Sequence, residues 1–260
     1  MEIPFVKYQG AGNDFVMIDN RSGKWDHLSL NSIRAICNRK YGVGADGLIK
    51  INASNELDFE VDYYNADGSR SFCGNGARCA VAFAKSRGIY TSFVRFNAID
   101  GVHEASQVGG IISLMMNDVN ELTQIADDYE LNTGSPHYIR FIDDMEDFPV
   151  FKEGVAIRYS ESYKEQGINV NFVQIKDKNQ LYVLTYERGV EDETLSCGTG
   201  VTAAAIAFAV KDQLYGEQLI SIQTKGGQLQ VTFNRVGEQS FHHIYLIGPA
   251  LPVFEGVFYG

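Results

Sequence analysis

No basic stripe runs through this 260-residue chain: 22 Lys and Arg stand against 33 Asp and Glu, a formal net charge of −11. Charge of that sign repels phosphate backbones and anionic headgroups, which excludes nucleic acid and membrane surfaces as expected partners. No apolar run approaches the roughly 18 residues that a spanning helix needs. The start, Met1-Glu2-Ile3-Pro4-Phe5-Val6-Lys7, lacks the charged-then-apolar layout of a secretory leader. Cysteine is scarce, with four in the chain. That is too few for a disulfide scaffold at this length and fits a reducing cytoplasm. No His cluster accompanies the cysteines, and the spacing from Cys73 to Cys79 is not that of a zinc knuckle, so no metal is expected. Neither Gly42-Val43-Gly44-Ala45-Asp46-Gly47 nor Gly74-Asn75-Gly76 is G-x-G-x-x-G placed after a strand with a ribose-binding acid about 20 residues on, and G-x-x-x-x-G-K-[ST] is missing. A nucleotide cofactor is therefore not expected, and no pyridoxal-phosphate context surrounds the lysines. These absences leave a soluble cytoplasmic protein with no expected cofactor.

What is present is a repeated turn. Cys73 lies in Ser71-Phe72-Cys73-Gly74-Asn75-Gly76, and Cys197 in Leu195-Ser196-Cys197-Gly198-Thr199-Gly200. Each cysteine precedes Gly-x-Gly and then a small-residue apolar run. A thiol just ahead of a helix start has its thiolate form stabilised by the helix dipole and by unpaired backbone N–H groups. Free cysteine is ordinarily a buried hydrophobe. The glycines argue otherwise here, because they let a ligand approach the backbone and successive N–H groups bind a carboxylate or phosphate. Cys37 and Cys79 lack this context and read as core residues. Two such thiols suggest a reaction needing an acid and a base on opposite sides of one atom.

The turns mark an internal duplication, offset by 124 positions. Strand-like stretches precede them, Leu57–Tyr64 and Leu181–Tyr186, and a strand, Gly turn and strand follow, at Val94–Phe96 with Gly101 and Ile220–Ile222 with Gly226-Gly227. The run from Gly200 to Val210 has almost no polar face, and Ala77–Ala84 is nearly as apolar. A helix apolar all round is buried all round. Most of the rest reads as short alternating strands with Gly and Asn/Asp turns. The expected fold is therefore α/β (α+β), two pseudo-symmetric domains, each a curled, mostly antiparallel sheet around a buried central helix. The domains are expected at 1–117 and 118–248, with the strand in 249–260 returning to the first. A second helix per half is expected: Ser29 caps Leu30–Cys37, ending by Gly42, and Asp147-Phe148-Pro149 opens one through about Ile157 with Pro in the first turn.

Other candidates have bland readings of their own. His137, in Thr133-Gly134-Ser135-Pro136-His137, follows Gly and Pro in an expected turn, where a lone His is ordinarily solvated. Glu187-Arg188 can be a surface pair, yet it precedes Cys197 by ten residues. Asn13 and Asn65 stand at strand–turn junctions, where Asn is often a turn former.

Taken together, the motifs closely resemble those of the diaminopimelate epimerases, pyridoxal-phosphate-independent enzymes of lysine and peptidoglycan-precursor synthesis. The resemblance runs through Lys7–Val16, Gly42–Gly47, Tyr64–Ser69, Phe72–Cys79, Gly134–His137, Gly167–Val170, Tyr186–Gly189 and Ser196–Gly200. It implies an active site in a cleft between two similar domains, a small-molecule amino-acid substrate and a homodimer. It also implies roles: Cys73 and Cys197 for proton transfer, with His137 and Glu187 as supporting acid–base partners. Gly74, Asn75, Gly198 and Thr199 would hold the reacting carboxylate. Asn13, Asn65, Asn169, Glu187 and Arg188 would bind the rest of the substrate. Two positions depart: the family often has Asn where this chain has Ser135, and some members have Gln at Gly47. The implied reaction takes L,L-2,6-diaminopimelate to the meso form. Proline or hydroxyproline racemase-like enzymes share paired cysteines, but Asn65, Asn169 and Glu187-Arg188 suit a longer, doubly charged substrate. A single-thiol hydrolase would have no use for Cys197. Which sulfur starts as thiolate stays open.

Overall fold

The computed structural model describes residues 2–260; Met1, part of the segment read above for a leader, lies outside them. The chain divides into two compact units, Met1–Leu114 with Gly248–Gly260, and Met115–Ile247.

The first unit begins with β1 (Glu2–Gly10) and β2 (Asn13–Asp19), followed by α1 (Leu30–Cys37), β3 (Gly47–Asn52) and β4 (Phe59–Asn65). Then come α2 (Gly74–Ser86), β5 (Phe93–Ala98), β6 (Gly101–Val108) and β7 (Ile111–Met115). The second unit runs β8 (Leu122–Ile125), β9 (Asp128–Asn132), β10 (Pro136–Phe141), α3 (Val150–Arg158), β11 (Asn169–Asp177) and β12 (Gln180–Glu187). It continues with β13 (Asp192–Thr194), α4 (Gly198–Lys211), β14 (Gly216–Thr224), β15 (Gly227–Arg235) and β16 (Phe241–Pro249), before β17 (Leu251–Tyr259). β17 pairs antiparallel with β1, from Glu2 opposite Tyr259 to Gln9 opposite Leu251.

The two units repeat one pairing scheme. β2 runs parallel to β3, β3 antiparallel to β4, β4 parallel to β5 and β5 antiparallel to β6. In the second unit β10 and β11 are parallel, β11 and β12 antiparallel, β12 and β14 parallel, and β14 and β15 antiparallel. Each parallel pair needs a crossover, and the helices supply it: α1 and α2 in one unit, α3 and α4 in the other. Register makes the correspondence residue by residue. Phe15 faces Gly47 and Ile49 faces Tyr63; in the second unit His137 faces Asn169 and Asn171 faces Thr185.

Local chemistry explains the helices. Ser29 caps α1 by accepting the Ser32 N–H at 3.1 Å, and Ile33, Ile36 and Cys37 turn one stripe inward. That stripe packs with Ile18, Leu48 and Trp25 on one face of the sheet. α3 does the same over Val170, Phe172 and Tyr186. Its cap is Pro149, one residue ahead of the first turn where the sequence reading put the proline. α2 and α4 occupy the other face. α2 packs against β1, β2, β3, β4, β6 and β17, and α4 against β9, β10, β11, β12, β14 and β15. The strands of each unit thus pack around its central helix. Every α2 residue from Gly74 to Ala84 is buried, and in α4 Val201 to Ala209 are all buried. Burying side chains such as Ile206 and Phe208 stabilises the unit by about 1.5–3 kcal/mol each.

Candidate active site

Both cysteines cap a central helix. Cys73 is the N-cap of α2, in extended backbone, and its Sγ accepts the Gly76 N–H at 3.4 Å. Cys197 is the N-cap of α4, with Sγ 3.4 Å from Thr199 Oγ1. The capping position places each sulfur where first-turn N–H groups gather without intrahelical partners. Cys37 and Cys79 behave differently. Burial pushes the Cys37 thiol up to about 12, and full burial pushes Cys79 well above the ordinary thiol range. Neither forms a thiolate near neutral pH.

In the first unit an ordered chain of amides surrounds the start of α2. Asn75 Nδ2 donates to Asn13 Oδ1 at 2.6 Å, and Asn13 Nδ2 donates to Asp46 Oδ2 at 3.0 Å. Asp46 is held by Arg39, which also forks onto Asp14. Asp14 pairs with buried Lys7 at 2.8 Å. Burial alone would raise the Asp14 carboxyl, but Arg39 and Lys7 outweigh it and hold it at about 2. Asn65 ends β4; its Oδ1 accepts from Tyr63 at 2.7 Å, and its Nδ2 donates to Ser69 and Ser71. These bonds orient Asn13 and Asn65. Gly47, one of the two departures, has no room for a side chain: a Cβ there would run into the Tyr63 ring and lie 2.6 Å from the Tyr64 carbonyl oxygen.

The second unit corrects the expectation for His137. It lies in no turn: it is the second residue of β10, paired with Leu131 and Asn169, and 0 % exposed. Its tautomer follows from its neighbours. Asn171 Nδ2 lies 3.2 Å from the Tyr138 carbonyl and 3.0 Å from His137 Nδ1, while Asn171 Oδ1 accepts from Thr185 at 2.9 Å. Nδ1 is therefore an acceptor, and the proton of the neutral ring sits on Nε2, which donates to Thr199 Oγ1 at 2.8 Å. Thr199 can then turn its hydroxyl hydrogen toward Cys197. Burial, helped by the charge of Arg188, pushes His137 down to about 3. The corresponding face of the first unit is apolar. A Cβ on Gly76 would meet Ile49 and Phe15 side chains at 3.2 and 3.4 Å, whereas one on Gly200 would run into Asn171 Oδ1.

Asn169 and Arg188 form one group. Asn169 Oδ1 accepts the Arg188 N–H at 2.9 Å, and its Nδ2 donates to Ser135 Oγ at 2.9 Å, so the second departure keeps a hydrogen bond. The Arg188 guanidinium donates to the Gln166 carbonyl at 3.0 Å. Glu187 closes β12, opposite Asp192, and its carbonyl accepts the Glu191 N–H. Thr133 Oγ1 donates to the Thr199 carbonyl at 2.8 Å, tying the loop before β10 to the start of α4. Among the described residues no group of three His, Cys, Asp or Glu is placed to hold a metal ion, and no helix is long and apolar enough to cross a membrane.

Sequence reasoning missed Asn171, Thr185, Asp46 and Arg78. Asn171 carried a signal: two residues after Asn169 in a strand, it shares that residue's face.

The model of the family described as diaminopimelate epimerase matches residues 5–120 and 129–252. The chain belongs to the diaminopimelate epimerase family. It is 49% identical to the diaminopimelate epimerase of Flavobacterium psychrophilum over 96% of this chain and 97% of that one. It is 40% identical to that of Aquifex aeolicus, over 97% and 96%. Among solved structures, a Bacillus anthracis phenazine biosynthesis protein of the PhzF family has the same fold. Its TM-score is 0.76 at 13% identity, with 99% of both chains covered. A hydroxyproline epimerase from Agrobacterium vitis gives 0.71 at 10%, over 98% and 92%.

Proposed function

We propose that this protein epimerises L,L-2,6-diaminopimelate to meso-diaminopimelate without a cofactor, with Cys73 and Cys197 as the two proton-transfer groups. The observation that carries the reading is the repetition itself: in each unit a cysteine is the N-cap that starts the buried helix of a parallel β–helix–β crossover. A single-nucleophile enzyme needs one such device.

The chemistry follows from the placement. One sulfur, as thiolate, removes the α-hydrogen as a proton and becomes a thiol; the C–H electron pair stays with the substrate, spread into its carboxylate. The other thiol gives its proton to the opposite face, where that pair forms the new C–H bond, and becomes the thiolate. A proton exchange with water resets the pair. Charge building on the carboxylate is met by the first-turn N–H groups at Gly74 and Asn75 and at Gly198 and Thr199, and by both helix dipoles. Each 1.4 kcal/mol gained there is worth about tenfold in rate. His137 supports Cys197 through the Thr199 hydroxyl, and Glu187 is assigned as the other supporting group. Asn13, Asn65, Asn169 and Arg188 take the distal amino-acid centre. A substrate lacking that centre would leave them unmatched, a strong basis for rejection. The reading extends to a cytoplasmic homodimer, and four cysteines in 260 residues suit a reducing compartment.

Incubation of purified protein with L,L-diaminopimelate, no cofactor added, followed by chiral chromatography, tests the proposal. The meso form should accumulate toward equilibrium. Cys73→Ala and Cys197→Ala should each lose at least about a thousandfold in rate while keeping the wild-type circular dichroism spectrum. No conversion by wild type, or full turnover by either variant, would sink it.

A further inference from the structure

α2 carries a cation where its counterpart carries none. Arg78, one turn inside α2, is 0 % exposed, and two of its guanidinium nitrogens, Nε and Nη1, are buried with no hydrogen-bond partner among the described residues. The third, Nη2, donates to Asn75 Oδ1 at 2.8 Å, which brings the guanidinium alongside the first turn that Cys73 caps. A buried guanidinium is normally paired with a carboxylate. Here the nearest carboxylate on its chain of contacts is Asp46, two amides away through Asn75 and Asn13, and Asp46 is already paired with Arg39. At the corresponding place in α4 stands Thr202, whose hydroxyl donates to the Gly198 carbonyl.

We propose that Arg78 is the built-in counter-charge of Cys73, so that Cys73 and not Cys197 is the thiolate of the substrate-free protein. The proposal rests on the two-cysteine reading of the function and assigns its starting protonation state. Each sulfur has a contact at 3.4 Å, Cys73 with the Gly76 N–H and Cys197 with the Thr199 hydroxyl. Burial and charge tell the two apart. Cys197 is buried at 9 % exposure beside a neutral His137, while Cys73 is half-buried. A nearby opposite charge favours the anion, and Arg78 reaches the first turn through Asn75, two residues after Cys73. Burial lowers Arg78 to about 10, and against it a negative charge on Cys79, and less strongly on Cys73, would raise it. Cys79 is fully buried and keeps its proton, which leaves Cys73 as the anion available to Arg78. The small cavity beside Cys73 is lined by Ile49, Val61, Phe96, Ile99 and Tyr63. Tyr63 is the titratable group among them, and its hydroxyl donates to Asn65.

The same bonds make Arg78 a positioning residue. Its grip on Asn75 Oδ1 turns Nδ2 toward Asn13, and Asn13 in turn presents Nδ2 to Asp46.

The test is alkylation of the substrate-free protein with iodoacetamide from pH 5 to 10, with each modified cysteine located by mass spectrometry. In wild type, Cys73 should react with a midpoint below that of Cys197, and Cys37 and Cys79 should stay unmodified. Arg78→Met should move the Cys73 midpoint upward by about one pH unit or more, about tenfold less thiolate near neutrality, and leave that of Cys197 in place. Arg78→Lys should restore most of it. A lower midpoint for Cys197 in wild type would overturn the proposal, as would an Arg78→Met variant with the Cys73 midpoint unmoved. If Arg78→Met does not fold, the wild-type order decides alone. Failure to epimerise diaminopimelate would strike the functional reading and leave the order of the two midpoints as found.

Discussion

Acid should weaken the second unit through one side chain. His137 is held neutral in the folded protein, with its proton-binding midpoint near 3, against about 6.5 in an unfolded chain. Between those values the unfolded chain binds the proton that the folded protein refuses. Stability attributable to this site is therefore fully present above pH 6.5 and falls as pH drops through the window. One proton over the two pH units from 6.5 to 4.5 amounts to about 2.7 kcal/mol. No screening discount applies, because His137 is 0 % exposed and its ring is enclosed by Asn171 and Thr199. The comparison is His137→Gln, whose amide can still donate toward Thr199 but does not titrate. Urea unfolding of both proteins at pH 7.5, 6.5, 5.5 and 4.5 gives the two slopes. The variant should be less stable at pH 7.5, because it gives up the bond from Asn171, and the gap should close by about 2–3 kcal/mol at pH 4.5. Parallel slopes would refute the argument, since they would mean that His137 titrates normally and its enclosure is not real.

Two further outcomes follow from particular contacts. Gly200→Ala forces a methyl group against Asn171 Oδ1, whereas Gly76→Ala meets Ile49, Phe15 and the Cys73 Cβ, none nearer than 3.2 Å. Overpacking of the first kind costs about 1–3 kcal/mol, and the second should stay within about 1 kcal/mol because the new alanine also favours helix; thermal melts of the pair check the difference. Asp14→Asn removes the partner of buried Lys7 and should cost about 2 kcal/mol at pH 7, a value reduced by the partial exposure of Asp14. Since the folded carboxyl sits at about 2, that cost should be constant above pH 4 and shrink as pH falls toward 2, which unfolding at pH 7, 4 and 3 measures.

The central helices could be read directly from the chain. Small apolar residues on every side leave only burial, and a cysteine followed by Gly-x-Gly marks a helix start. Ser29 announced α1 by its cap. Other features depend on partners far along the chain. Gly134-Ser135-Pro136 reads as a turn, and nothing next to His137 reveals that Asn171, Thr185 and Thr199 enclose it. The return of the strand in 249–260 to the first domain is expected from the chain, but its antiparallel register against β1 is not, and the parallel pairs depend on crossovers that strand alternation does not encode. Arg78 was visible as one charge in an apolar helix. Its missing carboxylate could be seen only once the surrounding residues were placed. The departures at Ser135 and Gly47 resolve in the same way: one side chain still reaches Asn169, and the other position has no space for a larger residue.

Solvent-isotope incorporation bears most directly on whether two sulfurs serve one carbon. Early in a reaction run in D2O, the meso product should carry deuterium at a single α-carbon, while unreacted L,L-diaminopimelate carries almost none. Label appearing equally in recovered substrate and product, or at both α-carbons, would contradict a pair of cysteines working on opposite faces of one centre.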